Sequence, residues 1–318
     1  HLWSLLAILN SILVQELLYV LTPSRAYQVG YVKEIPVPID FSDEIGELAK
    51  KSYKIKATWD SGNEISTNFE IPILLQAYYP SNHNNNKKDI QNLFKEITAT
   101  DHNNILTNKK KRLESLLIVV ENIENEFDKN LVEIQDQINS KIFDLYKVPK
   151  DDQEYIIHSQ ADLPPEIVWP QMEGKSEQEK HKEHVRRLLS YFLLESLKEN
   201  EDGILPVFEA SGGLTAVEAV RRKLADTFGE EAAFNMEGEI KEILGRDIGD
   251  WLDGPFIKWH TKLYKRTPII WQLSSDDYHN TFNCFLYYHK IDSDTLRKVQ
   301  TQYLWPQKRA VENKLAMA

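Results

Sequence analysis

The sequence predicts an α+β protein, predominantly helical, with a long amphipathic helical hairpin and a small antiparallel aromatic β-hairpin. Three observations lead there. Between Leu113 and Leu145 apolar residues recur at steps of three or four, the spacing of one helix face. Two runs, 268–273 and 282–288, are rich in Ile, Trp, Phe and Tyr and flank a polar stretch, 274–280, as a β-hairpin would. Elsewhere, amphipathic segments are punctuated by Gly and Pro, which mark helix ends.

The chain opens at His1 inside an apolar helix pattern, 2–21, and is therefore expected to be a fragment. Ser4, Asn10, Ser11, Gln15 and Glu16 interrupt the apolar run, and neither a basic leader nor a small-residue cleavage site accompanies it. A buried core helix is expected, with no membrane span. Thr22-Pro23-Ser24 ends that helix, because proline has no N–H to continue the ladder. Residues 27–39 alternate in part and carry Pro36 and Pro38, so a short extended edge segment is expected. Ser42 then suits an N-cap, with Asp43, Glu44 and Glu47 in the first turns of a helix to about Trp59.

Residues 80–108 are rich in Asn and Lys and read as an irregular insertion. The stripe follows, as Leu113, Leu116, Val120, Ile123, Phe127, Leu131, Ile134, Ile138, Ile142 and Leu145. It implies a helix of roughly 50 Å at 1.5 Å per residue. So long an apolar face needs a second helix, upstream or downstream, to form a hairpin. Pro164-Pro165, Pro170 and a charged run mark 151–180 as a connector. Helices are expected at 181–200, 214–229, 231–245 and 247–265, then the hairpin, then a last helix capped by Ser293 or Asp294. Four regions result: 1–62, 63–150, the connector 151–180, and 181–318. No internal repeat is present.

The net charge of −11 argues against a protein that coats nucleic acid without regard to sequence. The sign is uneven, however. Residues 258–318 hold ten Lys+Arg against five Asp+Glu, which is where a footprint on phosphates would sit. Cys284 is the only cysteine, so no internal disulfide forms, as suits a cytoplasmic protein.

No glycine-bearing strand–turn–helix for a nucleotide cofactor is visible. The sole Pro-Pro, Leu163-Pro164-Pro165-Glu166, lacks the polar leader and the aromatic that a base-holding methyltransferase loop needs. We therefore expect no catalytic residue, cofactor or metal in this chain. His181 and His184 share a helix face, but a metal site would need further ligands such as Glu177. A solvated, charged helix start is the simpler expectation. Cys284 is expected to be a small buried residue, and Asp202-Gly203 and Ser211-Gly212-Gly213 to be turns.

Two basic clusters suit phosphate. Lys109, Lys110, Lys111 and Arg112 crowd a helix start, where the helix dipole disfavours cations. Lys258, Lys262, Lys265 and Arg266 are interleaved with Trp259 and Tyr264, and three of them align on one helix face. Each also fits a plain reading, as a solvated charged end and an amphipathic helix with snorkelling lysines. Trp271 lies in a strand pattern and is expected in the core.

Several stretches resemble the C-terminal region of adenine-specific DNA methyltransferases of the BREX phage-defence type and of type IIG restriction–modification enzymes. They are Leu5-Leu6-Ala7-Ile8-Leu9-Asn10-Ser11, Tyr27-Gln28-Val29-Gly30, Ile35-Pro36-Val37-Pro38, Thr58-Trp59-Asp60-Ser61, 138–146, and Lys265-Arg266-Thr267-Pro268-Ile269-Ile270-Trp271. Tyr31 departs from the family, which has an acidic residue there. The resemblance implies N6-adenine methylation with S-adenosylmethionine in the full-length enzyme, by a domain preceding His1. It implies for this region target recognition on double-stranded DNA, with Gln28 a further contact. The other reading is a helical scaffold that docks other subunits of a defence complex without touching DNA.

Overall fold

The computed structural model describes residues 2–22, 29–38, 43–79, 112–159, 167–208, 213–275 and 282–317. It is predominantly helical with one small antiparallel sheet, as the sequence predicts. The described residues form two compact units, one of 2–60 and 121–169, the other of 61–79, 112–120 and 170–317.

In the first unit the expected single helix 2–21 is two, α1 (Leu2–Leu9) and α2 (Ile12–Leu21), bent by 59°. Ser11 causes the break. Its hydroxyl donates to the Ile8 carbonyl and accepts from Val14 N–H, so it ends one helix and caps the next. Among the described residues no single helix is long and apolar enough to cross a membrane, and this bent pair would qualify only by length and composition. Both halves bury apolar residues in the unit's core, including Ala7, Ile8, Leu13, Val14 and Leu18.

The extended segment expected at 27–39 is corrected in part, because α3 (Val29–Glu34) is helical. Among the described residues the unit has no strand to pair with, and Pro36 ends the helix by restricting Ile35. Helix α4 (Asp43–Asp60) then crosses α1 closely. A Cβ on Gly46 would come within 2.8 Å of Ser4 Oγ, so a larger residue there would force Ser4 to shift. Ser42 lies outside the described residues.

After α5 (Ile73–Tyr78) comes α6 (Arg112–Tyr146), 35 residues long, or about 52 Å. Its stripe is buried at Leu113, Leu116, Val120, Ile123, Phe127, Leu131, Ile138 and Ile142, with Ile134 and Leu145 partly so. In the first unit that face meets α1, α2 and α4, and Phe127 lies edge-on to the buried Trp59. The Asn/Lys-rich insertion, where an upstream hairpin partner would lie, is outside the described residues. The stretch expected as a connector contains α7 (Lys150–Ser159) and the buried Ile167, Trp169 and Met172. Pro164-Pro165 is not described.

In the second unit α8 (Glu177–Glu199) starts with a complete capping box, Ser176 with Glu179. Strand β1 (Ile204–Pro206) follows, then α9 (Ala216–Phe228) and α10 (Glu230–Leu244), near their expected bounds. The helix expected at 247–265 is two, α11 (Ile248–Leu252) and α12 (Pro255–Leu263). Gly254, at φ 152°, breaks it, and Pro255 restarts it at the position that needs no N–H.

Strands β2 (Ile270–Ser274) and β3 (Asn283–Tyr287) form the expected hairpin, with Trp271 opposite Leu286. Strand β1, not expected from three residues, pairs with the other edge of β3 and makes it central. Cys284 is buried as expected, and burial pushes its thiol up to about 12. Asp294 occupies the N-cap of α13 (Thr295–Lys298), a π-helical turn spans Val299–Leu304, and α14 (Trp305–Met317) ends the chain.

Candidate nucleic-acid interface

Helix α12 divides its residues by face. Phe256, His260 and Leu263 are buried at helical spacing, whereas Lys258 and Lys262 are exposed. Phe256 meets Phe285 edge-on, ring centroids 5.1 Å apart. His260 Nε2 accepts the backbone N–H of Ile270 at 3.2 Å, joining the helix to β2. Burial pushes this imidazole down to about 4, so it is neutral at physiological pH, as an acceptor nitrogen requires.

A buried ionic cluster fixes the same helix from beneath. Trp259 Nε1 donates to both carboxylate oxygens of Glu183, each at 3.1 Å. Glu183 also lies 3.5 Å from Arg187 Nε and from Lys175, and 3.6 Å from Arg186. Arg187 donates to Asn63 Oδ1 at 2.6 Å. This corrects the expectation of a solvated helix start, since Glu183, His184 and Arg187 are all buried. Burial, then the charge of Arg187, pushes His184 down to about 3. Its neighbours His181, Lys180 and Lys175 lower it further.

Beyond α12 the chain makes an unusual turn. Lys265 and Arg266 both have positive φ, 50° and 71°, a region costly to residues with a Cβ. Arg266 N–H bonds back to Thr261 O at 2.9 Å and Thr267 N–H to Tyr264 O at 3.0 Å, which occupies the last helix carbonyls. Both side chains are exposed at the helix C-terminus, where the dipole favours cations. The expected alignment of three cations on one helix face is therefore corrected. Lys258 and Lys262 are helical, and Lys265 sits in the turn.

Trp271 is also corrected. It projects from the edge strand β2, 48% exposed, and its indole N–H returns to Pro268 O at 3.1 Å. Tyr288, 52% exposed, stacks on it. The aromatics expected among the cations, Trp259 and Tyr264, instead turn inward onto Glu183 and His260. The missed signal was edge position, because a strand with one neighbour leaves one face less covered.

Several other C-terminal cations are engaged, whereas Arg309 on α14 is exposed and makes no ion pair among the described residues. Lys290 donates to the Lys198 and Asn200 carbonyls, Arg297 pairs with Asp294, and Lys298 with Asp292. Among the described residues Lys258, Lys262, Lys265 and Arg266 make no ion pair. Arg112 is corrected from a surface cation to a buried one, donating to Tyr78 Oη at 3.1 Å and lying over that ring. Lys109, Lys110, Lys111 and Gln28 lie outside the described residues. Around α12 and its turn lies an exposed set of four cations with a stacked aromatic pair close by in sequence, a combination able to take phosphates and bases.

No family model matches the chain. Over 338 residues it is 23% identical to the adenine-specific methyltransferase BrxX of Escherichia coli O9:H4 (strain HS), a match covering 96% of this chain and 26% of BrxX. Over 92 residues it is 30% identical to the adenine-specific methyltransferase PglX of Lacticaseibacillus casei (strain Zhang), covering 29% of this chain and 7% of PglX. The chain thus spans about a quarter or less of the length of these relatives. The similarities support a protein related to adenine-specific methyltransferases.

Proposed function

We propose that this chain is the DNA-contacting, target-recognition part of an adenine-specific methyltransferase of the BREX phage-defence type. Its similarity to BrxX along nearly its whole length supports the relation. The observation that carries DNA contact is the set of four exposed cations that make no ion pair among the described residues, two of them in a positive-φ turn a few residues before Trp271. Lys258 and Lys262 meet the phosphate backbone along α12. Lys265 and Arg266 reach the next phosphates, and Trp271 with Tyr288 offers a face to an unstacked base. The methyl donor implied for the whole enzyme is S-adenosylmethionine, and DNA contact is the part assigned to this chain.

A second reading, docking of another subunit of the defence system, is favoured by apolar exposure in the first unit, where Tyr19, Val20 and Val29 are each about two-thirds exposed. Binding to duplex DNA measured across a salt series separates the two. Phosphate contact gives log K falling linearly with log salt, by about 0.9 for each phosphate neutralised. Binding that is absent, or indifferent to salt, rejects DNA contact.

A further inference from the structure

We infer that α14 is the base-reading helix of this chain, laying Arg309 and Asn313 into the major groove of duplex DNA with Arg309 on a guanine. The inference rests on the DNA contact proposed above. It names the element that makes that contact specific, since contacts to phosphate carry no sequence information.

The helix is anchored at its start. The π-helical turn before it packs Val299, Tyr303 and Leu304 with Ile204, Cys284 and Leu286 of the sheet. Tyr303 Oη also donates to Asp202 Oδ2 at 2.7 Å. Beyond that turn α14 buries none of its 13 residues, and 311–317 are exposed without interruption. The result is a rod of about 20 Å at 1.5 Å per residue, and a helix with its side chains fits a major groove about 12 Å wide. So short a helix draws most of its stability from packing, and its bare faces call for a partner.

Its residues sort by face. Arg309, Asn313 and Ala316 follow at i, i+4 and i+7 on one exposed face. Among the described residues the side chains of Arg309 and Asn313 have no partner. Lys308 and Lys314 fall one to each side of that face, as the phosphates bordering a groove would require. Lys308 also lies 3.7 Å from Glu312, the only acid of the helix. Three cations against one acid, on a chain of net charge −11, favour a polyanion over a protein surface. A helix that docks on protein needs a continuous apolar stripe, whereas α14 brings only Val311 and Leu315 together, on the opposite face. The arginine fork matches N7 and O6 of guanine, and the Asn313 amide suits the edge of a neighbouring base.

Selection of bound duplexes from a random-sequence pool by the whole chain tests the assignment. The wild type should enrich a motif in which one G·C pair is preferred about tenfold, and Arg309→Ala should bring that preference close to equality. Arg309→Lys keeps the charge and loses the fork, so it should relax the same position while overall affinity stays within about threefold. Asn313→Ala should relax a neighbouring position and leave the slope of log K against log salt unchanged. Both side chains are exposed and both replacements are good helix formers, so these variants should fold as the wild type does. No binding to any duplex overturns this inference together with the DNA contact proposed above. Binding without a motif, or with a motif unchanged in Arg309→Ala and Asn313→Ala, overturns this inference alone and leaves α14 to a protein partner through Val311 and Leu315.

Discussion

Trp271 and Tyr288 stack at the open edge of the sheet, ring centroids 6.0 Å apart and planes 21° from parallel. Tyr288 N–H bonds to Ile269 O at 3.0 Å, so the two rings are diagonal neighbours across the strands, within reach of each other. Half of each side chain is open to solvent, a disposition more useful for binding than for stability.

Trp271→Ala should therefore cost little in folding. Truncating a fully buried tryptophan costs about 3–5 kcal/mol, whereas a half-exposed one at a strand edge should cost about 1 kcal/mol. Single-stranded DNA affinity should fall by about 1–3 kcal/mol if a base stacks there. Urea unfolding and a fluorescence anisotropy titration read the two separately. A large stability loss with unchanged affinity would make the pair structural.

Lys265 and Arg266 allow a test in which the two readouts move in opposite directions. Replacing both with Gly relieves the positive-φ backbone, a gain of roughly 0.5–1 kcal/mol at each site. The same change removes two charges from the proposed phosphate surface. Melting temperature should rise while duplex affinity falls.

The buried cluster should be intolerant of change. Arg187→Ala leaves the carboxylates of Glu183 and Glu64 without their buried counter-charge, and breaking such a pair costs about 3–5 kcal/mol. Because Glu183 also holds Trp259, α12 should loosen as well. Hydrogen exchange of the α12 amides should quicken in this variant more than in Lys262→Ala.

The same cluster sets the pH response. Burial pushes Glu64 up to about 7 from an ordinary 4.5, with Glu183 raising it and Arg187 opposing. A carboxyl raised on folding contributes stability that is full below 4.5 and is lost as pH rises through 7. His184 and His260, lowered from 6.5 to about 3 and about 4, act oppositely. Their contribution is full above 6.5 and is lost as pH falls toward those values. Glu64→Gln should thus gain on the wild type as pH rises from 4.5 to 7, measured as the difference in melting temperature. A difference that stays flat with pH would show that Glu64 titrates normally.

Much of the fold is legible in the sequence. The stripe from Leu113 to Leu145 needs one long helix, and the aromatic runs at 270–274 and 283–287 need a hairpin. The breaks were harder. Asn10-Ser11 interrupts an apolar run that otherwise favours helix, and only the Ser11 cap, satisfied on both sides, ends it. Gly254-Pro255 is a stronger signal that the surrounding amphipathic pattern obscured. Three-residue β1 carries too little pattern to detect, and its position depends on pairing with β3 across the sequence.

Of the candidate site, the cations were legible as a cluster and the aromatics were not. Helical spacing puts Lys258 and Lys262 on one face, but which tryptophan faces out depends on tertiary packing. Trp259 finds Glu183, and Trp271 finds Pro268 and Tyr288 at the sheet edge. Arg112 reads like its lysine neighbours until Tyr78 is placed beside it.

The most direct test of DNA contact is the salt dependence of duplex binding by Lys262→Ala/Lys265→Ala/Arg266→Ala. If the three side chains touch phosphates, affinity falls for every sequence alike. The slope of log K against log salt then shrinks by up to about 0.9 for each lost contact. Stability should stay within about 0.5 kcal/mol, because all three are exposed. Wild-type affinity and slope in this variant would contradict DNA binding through α12 and its turn, and would favour the docking of another subunit.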